Sequence, residues 1–241
     1  LIWYRGYHEG GRSIMWGRQS YRMSEIDFEA NAKDGSGVDW PVRYNDIKPW
    51  YDYVERFAGI SGSMEGLDIL PDGVFQPAFD LNCAELDFKS QIENSFAGRR
   101  VIPSRIAHLT KPTKEHTELG RGRCQVRNQC ARGCSFGAYF SSNSSTLPAA
   151  RRTGNLTFIT NRAVHKVIMN EQTGRAAGVE TVDVETGETN RITARIVFLN
   201  ASTIVSAMIL LNSQSESAPN GLANSSGQLG RNILAHHIGA L

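Results

Sequence analysis

The chain has 241 residues, 40% hydrophobic and 21% charged, which is ordinary for a folded globular protein of one large or two smaller domains. Lys and Arg number 26 against 24 Asp and Glu, a net charge of +2. That balance argues against a nucleic-acid or polyanion partner, since such proteins carry a clear basic excess. The longest apolar stretch, Ala207 to Leu211, is far short of the ~20 residues that span a bilayer, so no transmembrane segment is expected.

The chain opens on Leu1-Ile2-Trp3-Tyr4 and closes on Ile238-Gly239-Ala240-Leu241. Natural ends tend to be exposed and polar, so these apolar ends read as cuts within a larger fold. Any targeting sequence is then expected outside the window, which leaves a periplasmic or a cytoplasmic location open.

Arg5 to Arg22 is rich in glycine and aromatic residues. A helix follows, with Asn45 or Asp46 as its cap and Ile47, Trp50, Tyr51, Val54 and Phe57 at helical spacing. Gly59 stands at its end, and Pro49 is tolerated in its first turn. Gly62 to Gly122 is mixed, with a helix over Phe88 to Phe96. Arg121 to Ala138 reads as a basic, cysteine-bearing loop, and Ser141 to Arg152 as the start of another helix.

From Gly154 the pattern becomes strand-like: Leu156 to Thr160, Ala163 to Ile168, Ala177 to Val184 and Arg191 to Ala194, joined by turns such as Asn170 to Gly174. This is a β-meander. Ile196-Val197-Phe198-Leu199 is a continuous apolar run suited to a strand buried on both faces. It leads through Asn200-Ala201-Ser202 to a helix over Ile204 to Leu211, capped by Ser202 or Thr203. A strand, a small-residue turn and a helix N-terminus make a seat for phosphate.

Two constellations bear chemistry. In Gly10-Gly11-Arg12-Ser13-Ile14-Met15-Trp16-Gly17, paired glycines let backbone approach a flat ligand or a pyrophosphate. Ser13 supplies a hydroxyl, and Trp16 a ring that could lie beside a flavin. The alternative is a glycine-rich turn with a core Trp. The second constellation is Cys124, Cys130 and Cys134, spaced C-x5-C-x3-C and followed by Gly137-Ala138. Thiolates are soft ligands for iron–sulfur clusters, zinc or copper(I). Three ligands suit a three-iron cluster, whereas structural zinc takes four. Arg121, Arg123, Arg127 and Arg132 would favour thiolate over thiol. Three unligated cysteines, or a disulfide plus one spare, is the competing reading. Cys83, in an apolar setting 41 positions upstream of Cys124, reads as a buried structural thiol.

Together these segments resemble the GMC (glucose–methanol–choline) oxidoreductases over nearly the whole chain. Gly10 to Trp16 is similar to the family's double-glycine FAD segment, and the Trp is similar to that of the pyranose-oxidase-like branch. There a His before the Trp carries a covalent flavin; Met15 stands in its place, so the resemblance implies noncovalent FAD. It also implies that the backbone of Val164 meets the adenine, with Asn200 and Ala201 near the cofactor in place of the usual Ala-Gly-Ala-type turn. The triple cysteine resembles the iron–sulfur-bearing sugar and glucoside dehydrogenases, in which three cysteines hold a [3Fe–4S] cluster that passes electrons to a cytochrome. A cytochrome or other acceptor subunit is therefore an expected partner.

The implied fold is α/β with an α+β substrate domain: part of a Rossmann-like FAD-binding domain with its β-meander, in a two-domain architecture truncated at both ends. Residues 1–22 and 153–226 would belong to the FAD domain, 23–152 to the substrate domain, and 227–241 would return to the latter. The family's G-x-G-x-x-G and its C-terminal proton-abstracting pair are both missing, so no catalytic base is expected in this chain. His236 and His237 are read as structural or interdomain. The expected activity is that of a larger FAD-dependent dehydrogenase oxidising a CH–OH group of a sugar, glycoside or polyol. The alternatives are an oxygen-using flavin oxidase with structural cysteines, and a noncatalytic module braced by zinc.

Overall fold

The computed structural model describes residues 6–233, so His236 and His237 lie outside the described residues. The chain divides into two compact units, Leu1–Leu156 and Thr157–Leu241.

The first unit is organised around one extended segment, Arg105 to Leu109. Its backbone reaches four other stretches of chain. Ser20 N donates to Arg105 O at 2.9 Å and Ala107 N to Arg18 O at 2.9 Å. Ser61 and Ile106 exchange both of their bonds at 2.9 Å. On the other side, Phe140 N donates to Ala107 O at 3.0 Å and Leu109 N to Ala138 O at 3.1 Å. Cys124 N donates to Leu109 O at 2.8 Å. Arg105, Ala107 and Leu109 are fully buried, as a segment bonded along both edges must be. Ala58, Ile60 and Ala107 form the apolar centre, with Trp16, Phe75 and Phe140 packed around it.

Helices surround this spine. Helix α1 (Glu25–Asp34) starts at a Ser24/Asp27 capping box and buries Phe28 edge-on against Trp40. Helix α2 (Tyr44–Ala58) begins two residues before the expected cap: Arg43 is the N-cap, and Asp46 reaches back to its N–H at 2.8 Å. Pro49 therefore falls in the second turn, where its lack of an N–H deprives the exposed Asn45 carbonyl of its helical donor. The expected apolar face is only partly used, since Trp50 and Val54 are exposed. The face that α2 buries instead carries Glu55 and Ala58, because Arg22 draws Glu55 inward.

Helix α3 (Cys83–Ser95) runs five residues further upstream than the apolar pattern suggests. The reason is an Asn82/Glu85 capping box, with reciprocal bonds of 3.0 and 2.8 Å. Cys83 is its first residue and is exposed, which corrects the expectation of a buried thiol. Helices α4 (Lys114–Glu118) and α5 (Thr146–Arg152) are short.

In the second unit β1 (Arg162–Asn170), β2 (Arg175–Asp183) and β3 (Thr189–Thr193) form an antiparallel sheet in the order β1-β2-β3. Helix α6 (Thr203–Asn212) packs on β1: Ser213 Oγ accepts from Val167 N at 2.8 Å and donates to Ile209 O at 2.6 Å. Two expected strands are not found. Leu156 to Thr160 is irregular, and Ile196 to Leu199 pairs with no strand among the described residues. A buried strand needs neighbours on both sides, and here Ile196 and Phe198 stand 70% and 81% exposed.

Candidate functional site

The cysteine loop leaves the spine at Cys124 and returns to it at Ala138. Its base is closed by Gly122 N donating to Phe136 O at 2.6 Å and by the Arg121 side chain. Within it, Val126, Asn128, Gly133 and Gly137 have positive φ, and Cys130–Arg132 make a single 3-10 turn. This tight winding turns Cys124, Cys130 and Cys134, all half-buried, onto one cavity of about 380 Å³. Phe79, Ile106, Val126 and Phe136 give that cavity its apolar walls, and Arg18, His108 and Arg127 are among its polar ones. Cys130 and Cys134 also border a second cavity of about 570 Å³, together with Ile14, Arg132, Tyr139, Ser141 and Asn143. Among the described residues no carboxylate lines either cavity.

The surroundings are strongly cationic. Burial, with Arg18 beside it, pushes the His108 imidazole down to about 4, so it is neutral at neutral pH. His108 Nε2 and Arg18 Nε are buried without a hydrogen-bond partner among the described residues. Burial lowers Arg121 to about 10, with Cys134 opposing the shift, and it remains a cation. The unpartnered Arg18 Nε and the absence of a carboxylate make the lining of the first cavity suited to an anionic ligand. The described residues contain no set of three His, Cys, Asp or Glu side chains arranged to hold a metal ion.

The double-glycine segment forms a 3-10 turn over Gly11–Ile14, with Gly10 at φ 89° and Gly11 at φ 51°. Gly10 is required by a neighbour within the unit: a Cβ there would lie 2.3 Å from Asn143 Oδ1. Ser13 Oγ donates to Gly10 O at 2.6 Å and accepts from Ser142 N at 2.8 Å. Trp16 Nε1 donates to Phe140 O at 2.9 Å. Ser13 and Trp16 thus brace the segment against the chain that follows the cysteine loop. Arg12, Met15 and Gly17 face outward, and nothing lies within 4 Å of a Cβ built on Gly17. This open outer face, with the second cavity beside Ile14, fits a flat ligand lying against the segment.

The structure therefore brings the double-glycine segment and the three cysteines together in the first unit. Val164, Asn200 and Ala201 belong to the second unit. Val164 pairs with Thr181 next to a register shift in β1, and Asn200 is exposed ahead of α6. Ser202, the residue before α6, has φ 77° and makes no side-chain cap bond. Sequence reasoning missed Arg18, His108 and the whole spine. The run Arg105-Ile106-Ala107-His108-Leu109 is too short and too irregular for either periodicity to mark it, and Arg18 carries no pattern of its own.

Comparison with known proteins bears on the chemistry. The profile of the GMC oxidoreductase family matches residues 1–238. The chain is 29% identical over 230 residues to paromamine 6'-oxidase of Streptomyces fradiae, covering 93% of the chain and 40% of that protein. It is 29% identical over 234 residues to 2-methyl-1,2-propanediol dehydrogenase of Mycolicibacterium austroafricanum, covering 95% and 40%. To the fructose dehydrogenase large subunit of Gluconobacter japonicus it is 22% identical over 227 residues, covering 94% and 40%. The chain thus spans about 40% of the length of these curated relatives.

Proposed function

The chain belongs to the GMC oxidoreductase family, and on that premise we propose that it works within an FAD-dependent dehydrogenase oxidising a CH–OH group of a sugar, glycoside or related polyol. In this reading Cys124, Cys130 and Cys134 would hold a [3Fe–4S] cluster, which would supply a one-electron route to a cytochrome or other acceptor subunit. The observation that carries this reading is that Cys124, Cys130 and Cys134 all line one carboxylate-free cavity, and that Cys130 and Cys134 also line a second with Ile14 of the double-glycine segment. Relatives whose names specify a fructose dehydrogenase and a propanediol dehydrogenase support the substrate class. That one of them is named a large subunit supports a partner subunit.

When bound, FAD supplies the hydride acceptor and the cluster a one-electron exit. The chain's own residues do the holding. Gly10 and Gly11 turn the backbone so that Arg12, Met15 and Gly17 are exposed and would be available to the flavin, while Ser13 and Trp16 brace the turn. With Met15 where a covalent attachment would need His, the FAD is held noncovalently. By the family resemblance, Val164, Asn200 and Ala201 would also contact FAD. In this reading residues 1–22 and 153–226 are parts of a Rossmann-like FAD-binding domain, and 23–152 and 227–241 parts of the substrate domain.

The test is anaerobic purification of the full-length protein, with iron, acid-labile sulfide and electron paramagnetic resonance measured on wild type and on a Cys124/Cys130/Cys134→Ser triple variant. About three irons per chain, lost in the variant together with transfer to a cytochrome, are expected. Full activity in an iron-free protein would sink the cluster. A second reading, direct reaction with oxygen, is favoured by the likeness to two proteins named as oxidases, paromamine 6'-oxidase and 6'''-hydroxyparomomycin C oxidase. Hydrogen peroxide formed in step with substrate consumed would decide for it.

A further inference from the structure

We infer that Asn143 is the positioning residue of the double-glycine turn, and that it strengthens flavin binding by ordering that turn before the cofactor arrives. The inference rests on the FAD reading above.

Residues 9–16 and 139–143 run past one another in opposite directions and are joined step by step. Trp16 Nε1 donates to Phe140 O at 2.9 Å, and Tyr139 Oη donates to Trp16 O at 3.3 Å. Further along, Ser142 N donates to Ser13 Oγ at 2.8 Å. At the glycine end, Asn143 Nδ2 donates to Glu9 O at 3.1 Å. Its amide also fills the space that a side chain on Gly10 would need. A Cβ built on Gly10 would lie 2.3 Å from Oδ1, 2.8 Å from Cγ and 3.0 Å from Nδ2 of Asn143. Asn143 therefore holds the Glu9–Gly10 peptide from one side, by a bond to its carbonyl and by contact with the next α-carbon.

Gly10 stands at φ 89° and Gly11 at φ 51°. Successive glycines have the widest choice of backbone conformation, so fixing them as a ligand binds costs conformational entropy. A contact that fixes them beforehand removes that cost from binding. Asn143 is itself exposed, and its bond to Glu9 O is neutral and at the surface, so it adds little to the stability of the fold. Its effect belongs to the cofactor. Asn143 also lines the second cavity with Ile14, the last residue of the turn.

The experiment uses the full-length protein, freed of flavin and titrated with FAD, as wild type, Asn143→Ala, Gly10→Ala and the double variant. Dissociation constants are read from flavin fluorescence, and the thermal midpoint of each flavin-free protein is measured beside them. Asn143→Ala should weaken FAD binding about three- to tenfold, the worth of one hydrogen bond, at an unchanged midpoint. Gly10→Ala should weaken it too, and by a smaller factor in the Asn143→Ala background, where the clashing amide is gone. Unchanged FAD affinity in Asn143→Ala overturns the inference. So does a loss of affinity that comes with a lower flavin-free midpoint, which would make Asn143 a residue of the fold alone. Fully additive losses in the double variant overturn it as well, and the Asn143→Ala arm stands even where Gly10→Ala does not fold. A wild type that takes up no flavin removes the FAD reading, and the inference with it. A flavin-binding wild type with an unresponsive Asn143→Ala removes the inference alone.

Discussion

Gly59 ends α2 at φ 76°, and a Cβ built there would lie 2.1 Å from Leu109 Cδ2 on the spine. Two penalties would fall on an alanine, the left-handed backbone and an overpacked core. Gly59→Ala should cost about 2 kcal/mol or more, read as a lower midpoint in urea. Glu55 shows the same economy of space. It is joined to Arg22 through Nε at 2.8 Å and NH2 at 2.5 Å, and it also accepts from Val74 N at 2.8 Å. Burial works against the Arg22 charge, yet the bonds from Glu55, Asp52 and Tyr44 hold its pKa above the ordinary value. Removing one member of a buried pair strands the other, so Glu55→Gln should lose about 3–5 kcal/mol. The half-exposed Asp52, changed to Asn, should lose much less in the same denaturation experiment.

Helix α4 is only five residues long and depends on His116. Its Nδ1 accepts from Thr113 N at 3.0 Å while Nε2 donates to Arg56 O at 2.9 Å, a pattern that only the neutral ring with its proton on Nε2 satisfies. Burial, reinforced by Arg121, lowers its pKa in the fold. The unfolded chain, with His near 6.5, then takes up a proton that the folded chain refuses. Stability should therefore fall as pH drops below about 6.5 and go on falling toward the lower folded pKa. Thermal melts across that range should show the decline, and His116→Gln should lessen it, the remainder coming from the likewise lowered His108. The elements that were legible in the sequence are those whose signal is local. α2 was marked by Ile47, Tyr51 and Phe57 with Gly59 behind them, and the meander by its alternation and its Asn170–Gly174 turn. The cysteine loop and the double-glycine turn were legible as motifs, but their meeting was not. The two are joined by Ser13 and Ser142, which are 129 positions apart, and by Trp16 and Phe140, which are 124 apart. No periodicity records contacts at that range. The run Ile196 to Leu199 misled for the opposite reason: its composition asks for neighbours on both sides, and composition cannot say whether a given stretch of chain provides them.

At the scale of the whole molecule, function is expected to be distributed. The chain spans about 40% of its curated relatives, and the double-glycine and cysteine segments lie in one unit while Val164, Asn200 and Ala201 lie in the other. Expressed as it stands, the chain should bind FAD poorly and oxidise no alcohol. Stoichiometric flavin retained through gel filtration, or turnover with a sugar, would refute that. The two units also differ in how they are stitched. The spine of the first is bonded to residues 18–20, 61, 124 and 138–140, partners that lie far from it in the chain and must be gathered over long loops. The sheet of the second is two hairpins in succession, each closed by a few residues. Local closure loses little chain entropy and is fast, and long-range closure is slow. The meander, although it follows the spine in the chain, should be protected first. Pulse-labelled hydrogen exchange during refolding would then find amides of β1 and β2 shielded while those of Ile106 and Leu109 still exchange. The cysteine loop is anchored to the spine at both ends, so any cofactor it takes would have to be loaded late, onto a chain whose sheet has already formed.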